Sequence, residues 1–92
     1  MDAHVIDNPA AKRFELAIGG TVAVAYYKIE SDRFVLLHTE VPQEFSGQGI
    51  GTKLAEGVFE HLHAAGRRVI AKCPFMARFA SRHPEYAKML DG

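Results

Sequence analysis

Hydrophobic and polar positions alternate along residues 12–18, which predicts a strand with one buried face. Every second position there is apolar, and these positions are Phe14, Leu16 and Ile18. Residues 21–29 are rich in β-branched and aromatic side chains, and residues 33–41 form a third run of the same kind. The short turn signals Gly19-Gly20 and Ser31-Asp32 separate the three runs. We therefore expect an antiparallel meander of three strands.

The hydrophobic period changes in the second half of the chain. From Ile50 onward, apolar positions recur every three or four residues, as on a helix with one buried face. These positions are Ile50, Leu54, Val58 and Leu62, flanked by Ala55 and Phe59. Gly66 is placed to end this helix, and residues 68–71 predict a short strand parallel to the third, reached by a right-handed crossover. A short helix over residues 75–82 and a last turn over residues 84–90 complete the pattern.

The predicted order is β-β-β-α-β-α, an α/β (α+β) sandwich with a mixed sheet. A chain of 92 residues favours one domain, residues 1–92, with its core over about residues 12–90. Hydrophobic residues make up 48% and charged residues 24%, as in an ordinary globular protein. A chain this short must place any active site on the core elements themselves.

Charge and cysteine content narrow the classes of partner and compartment. Eleven basic and eleven acidic residues cancel, so no long-range field favours nucleic acid or an anionic membrane. Residues 66–83 contain no acid, so they either face a phosphate-bearing ligand or form a solvated set of surface charges. The cations there are Arg67, Arg68, Lys72, Arg78, Arg82 and His83. A single cysteine, Cys73, and the lack of a signal-peptide pattern or a membrane-spanning apolar run favour a cytoplasmic location.

The glycine-rich turn Ser46-Gly47-Gln48-Gly49-Ile50-Gly51 links the third strand to the long helix. Its glycines let the backbone approach a ligand, and the helix N-terminus behind them favours phosphate or pyrophosphate. A P-loop needs Lys before Ser or Thr, whereas Thr52-Lys53 runs in the reverse order. A dinucleotide fingerprint needs its third glycine three residues after the second, whereas Gly51 follows Gly49 by two. ATP and NAD are thus disfavoured, and a tight connection that holds no ligand is the alternative.

These residues resemble the GCN5-related N-acetyltransferases, whose pyrophosphate loop reads Gln/Arg-x-x-Gly-x-Gly/Ala between a strand and a helix. Gly49-Ile50-Gly51 matches that loop and is followed by the usual Leu54, whereas Ser46 stands where Gln or Arg is usual. The chain is similar, more closely, to the very small YjdJ-type branch, which lacks the extra helices and strands that shape the acceptor site in larger members. The segments that carry this likeness are His38-Thr39-Glu40-Val41, the loop, Cys73-Pro74-Phe75 and His83-Pro84-Glu85-Tyr86.

The resemblance implies an acetyl-coenzyme-A-dependent N-acyltransferase that acts on an unidentified amine. A non-catalytic acyl-coenzyme-A-binding module is the alternative, and a small interaction domain without a ligand is a third hypothesis. The pantetheine arm is expected in a wedge between the third strand and its parallel neighbour. The implied coenzyme-binding residues are Thr39, Glu40, Val41, Ser46, Gly47, Gln48, Gly49, Ile50, Gly51, Thr52, Cys73, Pro74, Phe75, Phe79 and Arg82, with Arg78 as an alternative to Arg82. No metal is implied, and a monomer and a homodimer both stay open.

The candidates for the chemistry itself are Cys73 and His38, with Glu40 as a second candidate for the general base. Simple alternation places His38 on the face of Phe34, Leu36 and Glu40, where it is either a general base for an incoming amine or a strand histidine satisfied by a neighbour. Cys73 ends the fourth strand and is either a nucleophile beside a helix N-terminus or a small buried apolar residue. The amine then attacks the thioester directly, or Cys73 first takes the acetyl group. Direct attack is the superfamily's usual route.

Overall fold

The alternating segments form a five-stranded sheet in the computed structural model, which describes residues 4–91. The elements are β1 (Val5–Asn8), a 3₁₀ turn (Pro9–Ala11), β2 (Arg13–Ile18), β3 (Thr21–Glu30), β4 (Arg33–Glu40), a second 3₁₀ turn (Gln43–Phe45), α1 (Ile50–Ala64), β5 (Arg68–Ala71), α2 (Pro74–Ser81) and α3 (Pro84–Ala87). The strand order is β1-β2-β3-β4-β5. Only the β4–β5 pair is parallel. The predicted α+β fold with a mixed sheet is confirmed.

The first strand, β1, was absent from the sequence prediction, so the sheet has five strands where four were expected. Val5 pairs with Leu16 of β2 in antiparallel register. Its side chain lies against α1 at Gly57, where an added Cβ would clash with Val5 Cγ2. The Tyr27 hydroxyl donates a hydrogen bond of 2.5 Å to Asp7 Oδ1. Contacts with distant parts of the chain therefore hold β1 in place.

The two predicted hairpin turns are confirmed by their backbone angles. Gly19 and Gly20 have φ values of 49° and 86°, and Ser31 and Asp32 have values of 50° and 67°. Positive φ at both central residues matches the right-handed twist of the flanking strands. The turns bring β2, β3 and β4 into the expected meander.

The predicted helical stripe builds the core. Leu54, Val58 and Leu62 are buried, as are the flanking Ala55 and Phe59. Residues of all three helices join one apolar cluster with one face of the sheet, and these residues include Leu54, Val58, Phe59, Leu62, Met76, Phe79, Ala80 and Tyr86.

We call the opposite face of the sheet the outer face. By strand register it carries Arg13, Glu15, Tyr26, Lys28, Glu30, His38 and Glu40.

A β-bulge in β4 changes which face His38 occupies. Tyr27 pairs with Leu36 and Tyr26 pairs with His38, which leaves Leu37 as the extra residue. Because of this extra residue, His38 and Glu40 lie on the outer face, opposite Leu36. The prediction that His38 shares a face with Phe34 and Leu36 was therefore wrong, since alternation stops at the bulge.

Among residues 4–91, no helix is both long enough and apolar enough to cross a bilayer.

Candidate functional site

The parallel strands β4 and β5 separate partway along their length. Their pairing runs from Arg33 with Arg68 to Leu36 with Ala71. The Leu36 carbonyl then accepts hydrogen bonds from the N–H groups of Lys72 (2.9 Å) and Cys73 (3.0 Å). Beyond this point, residues 37–40 have no strand partner on the β5 side within the described part of the chain. We call the resulting gap between residues 37–40 and residues 73–74 the fork.

Thr39 and Cys73 meet at the base of the fork. Thr39 Oγ1 lies 3.8 Å from Cys73 Sγ. The bulge turns Thr39 to the helix-covered face, where it pairs with Ala25. Cys73 is 6% exposed and belongs to the apolar cluster on that face. The thiol and the His38 imidazole therefore lie on opposite faces of β4 and form no catalytic pair.

The glycine-rich turn presents backbone amides to solvent. Gly49 is the N-cap of α1 with φ of 74°, and it supplies no side-chain cap. The first turn of α1 contains no acidic residue. Since the first N–H groups of a helix have no partner within the helix, those of Ile50, Gly51 and Thr52 form a positively polarised end. This arrangement suits an anion, as the glycine pattern predicted.

Two local hydrogen bonds stabilise the approach to this turn. Ser46 is exposed, and its backbone N–H donates to the Gln43 carbonyl at 3.1 Å. The Gln48 side-chain amide donates to the Glu44 carbonyl at 3.4 Å. Both bonds connect the second 3₁₀ turn to the start of the glycine-rich turn.

Phe45 holds the turn against the β2–β3 hairpin. Its Cζ would lie 2.9 Å from a Cβ at Gly19. A larger residue at position 19 would displace this ring and the turn with it. Sequence reasoning missed the contact, although one large aromatic residue in an otherwise polar loop was the available signal.

A cavity of about 200 Å³ lies between the start of α1 and the helix α2. Its lining residues are Thr52, Glu56, Phe75, Arg78, Phe79, Arg82 and His83. Gly51 allows the close packing beside it, since a Cβ there would be 3.2 Å from Phe75 Cζ. Four predicted coenzyme-binding residues thus line one cavity, and they are Thr52, Phe75, Phe79 and Arg82. Arg78 adds a second arginine, and arginines are strong donors to phosphate.

The cationic segment 66–83 divides into two parts. Arg78 and Arg82 line the cavity beside the glycine-rich turn. Arg67 and Arg68 line a different groove of about 360 Å³ near Gly66, past the C-terminal end of α1. There Arg68 donates to the Lys88 carbonyl at 2.7 Å, so it acts in holding the C-terminal segment. Only one half of the segment is therefore available to a ligand at the turn.

Tyr86 and His83 pack together with aromatic side chains of the core. The Tyr86 ring stacks on Phe59 at 5.4 Å between centroids, and burial raises the pKa of the Tyr86 phenol. The His83 ring lies 4.3 Å from that of Phe79. Within residues 4–91, no three side chains of the types that bind metals converge on one point. The polar chemistry of the site is thus confined to the fork, the turn and the cavity.

Comparisons with known proteins agree with this fold. The sequence profile of the family described as GCN5-related N-acetyl-transferase matches residues 13–89, so the chain belongs to that family. The fold is similar to the solution structure of a GCN5-like protein from Staphylococcus aureus, with a TM-score of 0.70 and 23% identity. That similarity covers 99% of this chain and 90% of the other. No curated protein matches the chain at a significant level.

Proposed function

We propose that the protein is an acetyl-coenzyme-A-dependent N-acyltransferase that transfers an acetyl group to an amine. The observation that carries this proposal is the fork between β4 and β5, which opens beside the uncapped, glycine-rich N-terminus of α1. Acetyl-coenzyme A needs a slot for its extended pantetheine arm, and its pyrophosphate needs several N–H groups as hydrogen-bond donors. The cytoplasm, where a single cysteine stays reduced, is the compartment we propose.

The coenzyme would lie along three surfaces of the site. The backbone of residues 39–41 would bond the pantetheine amides, and the N–H groups of residues 48–52 would hold the pyrophosphate. The cavity would place Arg82 and Arg78 near the remaining phosphate, with Phe75 and Phe79 as its apolar walls. Ser46 offers a hydroxyl to the pyrophosphate in place of a longer side chain.

Direct attack on the thioester is the route that we propose. The amine nitrogen forms a bond to the acetyl carbonyl carbon, the carbon–sulfur bond breaks, and coenzyme A leaves as a thiolate that takes up a proton. His38 accepts a proton from the attacking amine on the outer face. The alternative route through Cys73 needs a base for the thiol, and His38 cannot supply it from the other side of β4. The burial of Cys73 further supports its role as a wall of the fork.

A non-catalytic acyl-coenzyme-A-binding module is the second candidate. The separation of His38 from Cys73 by the strand favours it, because the two groups do not form a nucleophile–base pair. Both candidates use the same fork and turn, so coenzyme binding alone does not distinguish them.

Steady-state transfer with His38→Ala, Cys73→Ala and the control His63→Ala tests the proposal. Loss of a general base lowers rates by about 10²–10⁴-fold, so we expect that loss in His38→Ala and nearly full activity in the other two. The measurements are release of free coenzyme A with a panel of amines, and mass spectrometry of the protein after a single turnover. His63 is an exposed histidine on α1, distant in sequence from the fork.

Each other outcome has a definite meaning. Acetylated Cys73 together with an inactive Cys73→Ala variant would establish the covalent route. A rise in melting temperature with acetyl-coenzyme A but no transfer to any amine would establish the binding module. No rise in melting temperature would contradict both.

A further inference from the structure

A chain of polar contacts crosses the outer face and ends at the fork. Asn8 Nδ2 donates to Glu15 Oε2 at 3.0 Å, and Arg13 Nε donates to the same oxygen at 2.7 Å. Arg13 Nη1 then donates to the Tyr26 hydroxyl at 3.2 Å. These bonds connect β1, β2 and β3, and they fix the ring of Tyr26 on the outer face, opposite the apolar cluster.

The Tyr26 ring continues the chain of contacts into β4. It stacks on the His38 imidazole with centroids 6.3 Å apart and planes at 10°. His38 Nε2 lies 3.1 Å from Glu40 Oε2, which is within hydrogen-bonding distance. Both side chains are 60% exposed. The bulge at Leu37 is what places this His38–Glu40 pair on the outer face.

The coenzyme's own surfaces lie on the other side of β4. The cavity and Cys73 belong to the helix-covered face, so a thioester in the fork would present its carbonyl to an amine arriving from the outer face. At that position the amine first meets the Glu40 carboxylate and the exposed His38 ring. A carboxylate with one exposed partner is free to bind a second, cationic one, since surface pairs hold only weakly.

We propose that Glu40 holds the ammonium group of the acceptor, and that Tyr26 positions His38 beside it. This inference rests on the proposed transferase function and adds the residues that receive the acceptor on the outer face. The ammonium group contacts Glu40, His38 takes one of its protons, and the neutral nitrogen attacks the thioester. The departing thiolate takes up a further proton, so the reaction forms an N-acetyl amide and free coenzyme A and releases one proton.

Acceptor specificity in Glu40→Gln tests the assignment, with Glu30→Gln as its matched control. Glu30 is also an exposed outer-face carboxylate, and it pairs with Lys28 at 2.9 Å at the far end of β3. The two acceptors are N-α-acetyl-lysine amide, which is cationic, and aniline, which is uncharged at neutral pH. We expect Glu40→Gln to lower kcat/KM for the lysine derivative by about tenfold or more, because it loses a hydrogen bond between charged groups. The loss with aniline should be smaller, and Glu30→Gln should leave both values unchanged.

Tyr26 variants test the positioning role separately. Tyr26→Phe keeps the ring on His38, and Tyr26→Ala removes it. We expect Tyr26→Ala to lower kcat with little change in KM, and Tyr26→Phe to retain most of the rate. Equal losses in the two variants would overturn the positioning role.

The outcomes separate this inference from the function beneath it. If the wild-type protein acetylates amines and Glu40→Gln affects both acceptors equally or neither, the ammonium site is wrong and the transferase function stands. Transfer to aniline but not to the lysine derivative would have the same meaning. If the wild-type protein acetylates no amine, the transferase function fails and the inference with it.

Discussion

Replacing Thr52 by glutamate is expected to weaken the binding of acetyl-coenzyme A by at least about tenfold without destabilising the free protein. Thr52 is exposed in the first turn of α1 and lines the cavity beside the glycine-rich turn. Two like charges about 5 Å apart repel by about 3 kcal/mol at an effective dielectric constant of about 20, which exceeds tenfold even after screening by solvent. A carboxylate there therefore competes with the pyrophosphate for the same N–H groups.

Thr52→Glu should stabilise the unliganded protein, whereas it weakens the binding of acetyl-coenzyme A. An acidic residue in the first turn stabilises a helix by about 0.3–1 kcal/mol, and α1 has none there. Glu56 lies one turn further on and offsets part of this gain, since like charges four residues apart repel by about 0.2–0.5 kcal/mol. Calorimetric titration with acetyl-coenzyme A and thermal unfolding without it measure the two effects. Thr52→Gln is the uncharged control and should bind acetyl-coenzyme A nearly as the wild type does. Unchanged binding in Thr52→Glu would show that the pyrophosphate does not bind at this turn.

Replacing Phe59 by alanine is expected to lower the free energy of unfolding by about 3–5 kcal/mol. The side chain is fully buried, and its ring stacks on Phe79 at 5.8 Å and on Tyr86 at 5.4 Å. It therefore joins α1 to both following helices. Since small domains have a total stability of about 5–15 kcal/mol, this one change removes a large share.

Urea unfolding followed by circular dichroism measures the loss in Phe59→Ala. Phe59→Leu fills more of the space and should lose less stability. Because α2 carries Phe75, Arg78 and Arg82, loosening its packing should also weaken coenzyme binding in the folded fraction. A loss below about 1 kcal/mol would contradict the packing of the three helices on one face.

Local pattern was enough to predict most of the fold. The alternation of Phe14, Leu16 and Ile18, the turn at Gly19-Gly20 and the helical stripe from Ile50 are all carried by neighbouring residues. Each of these elements appears in the structure at nearly the predicted position. Parallel pairing of β4 with β5 also followed, because a helix separates the two strands.

Two features depended on contacts that no local pattern reports. The strand β1 is four residues long, and its place follows from pairing with β2 and from the space left at Gly57. The bulge at Leu37 lies in the run Phe34-Val35-Leu36-Leu37, which is apolar at every position. In such a run alternation carries no information, so an offset of one residue leaves no trace in the sequence.

The candidate site, like the fold, was predicted in part from local sequence pattern, and the rest depended on contacts between distant residues. Glycine spacing drew attention to the turn before α1, where the structure gives Gly47 and Gly49 positive φ angles and makes Gly49 the N-cap. Charge alone left Arg78 and Arg82 undistinguished from Arg67 and Arg68, and only the fold separates the two pairs. The face of the sheet on which His38 lies depends on the bulge at Leu37, which the sequence pattern did not predict.

A titration of the ¹⁵N-labelled protein with acetyl-coenzyme A, followed by amide chemical shifts, tests the central claim most directly. The account predicts the largest shifts at the amides of residues 47–52, further shifts along residues 38–41 and at Cys73 and Phe75, and little change around Gly66 and Lys88. Saturating coenzyme that leaves residues 47–52 unperturbed, or that perturbs only the groove near Gly66, would contradict it.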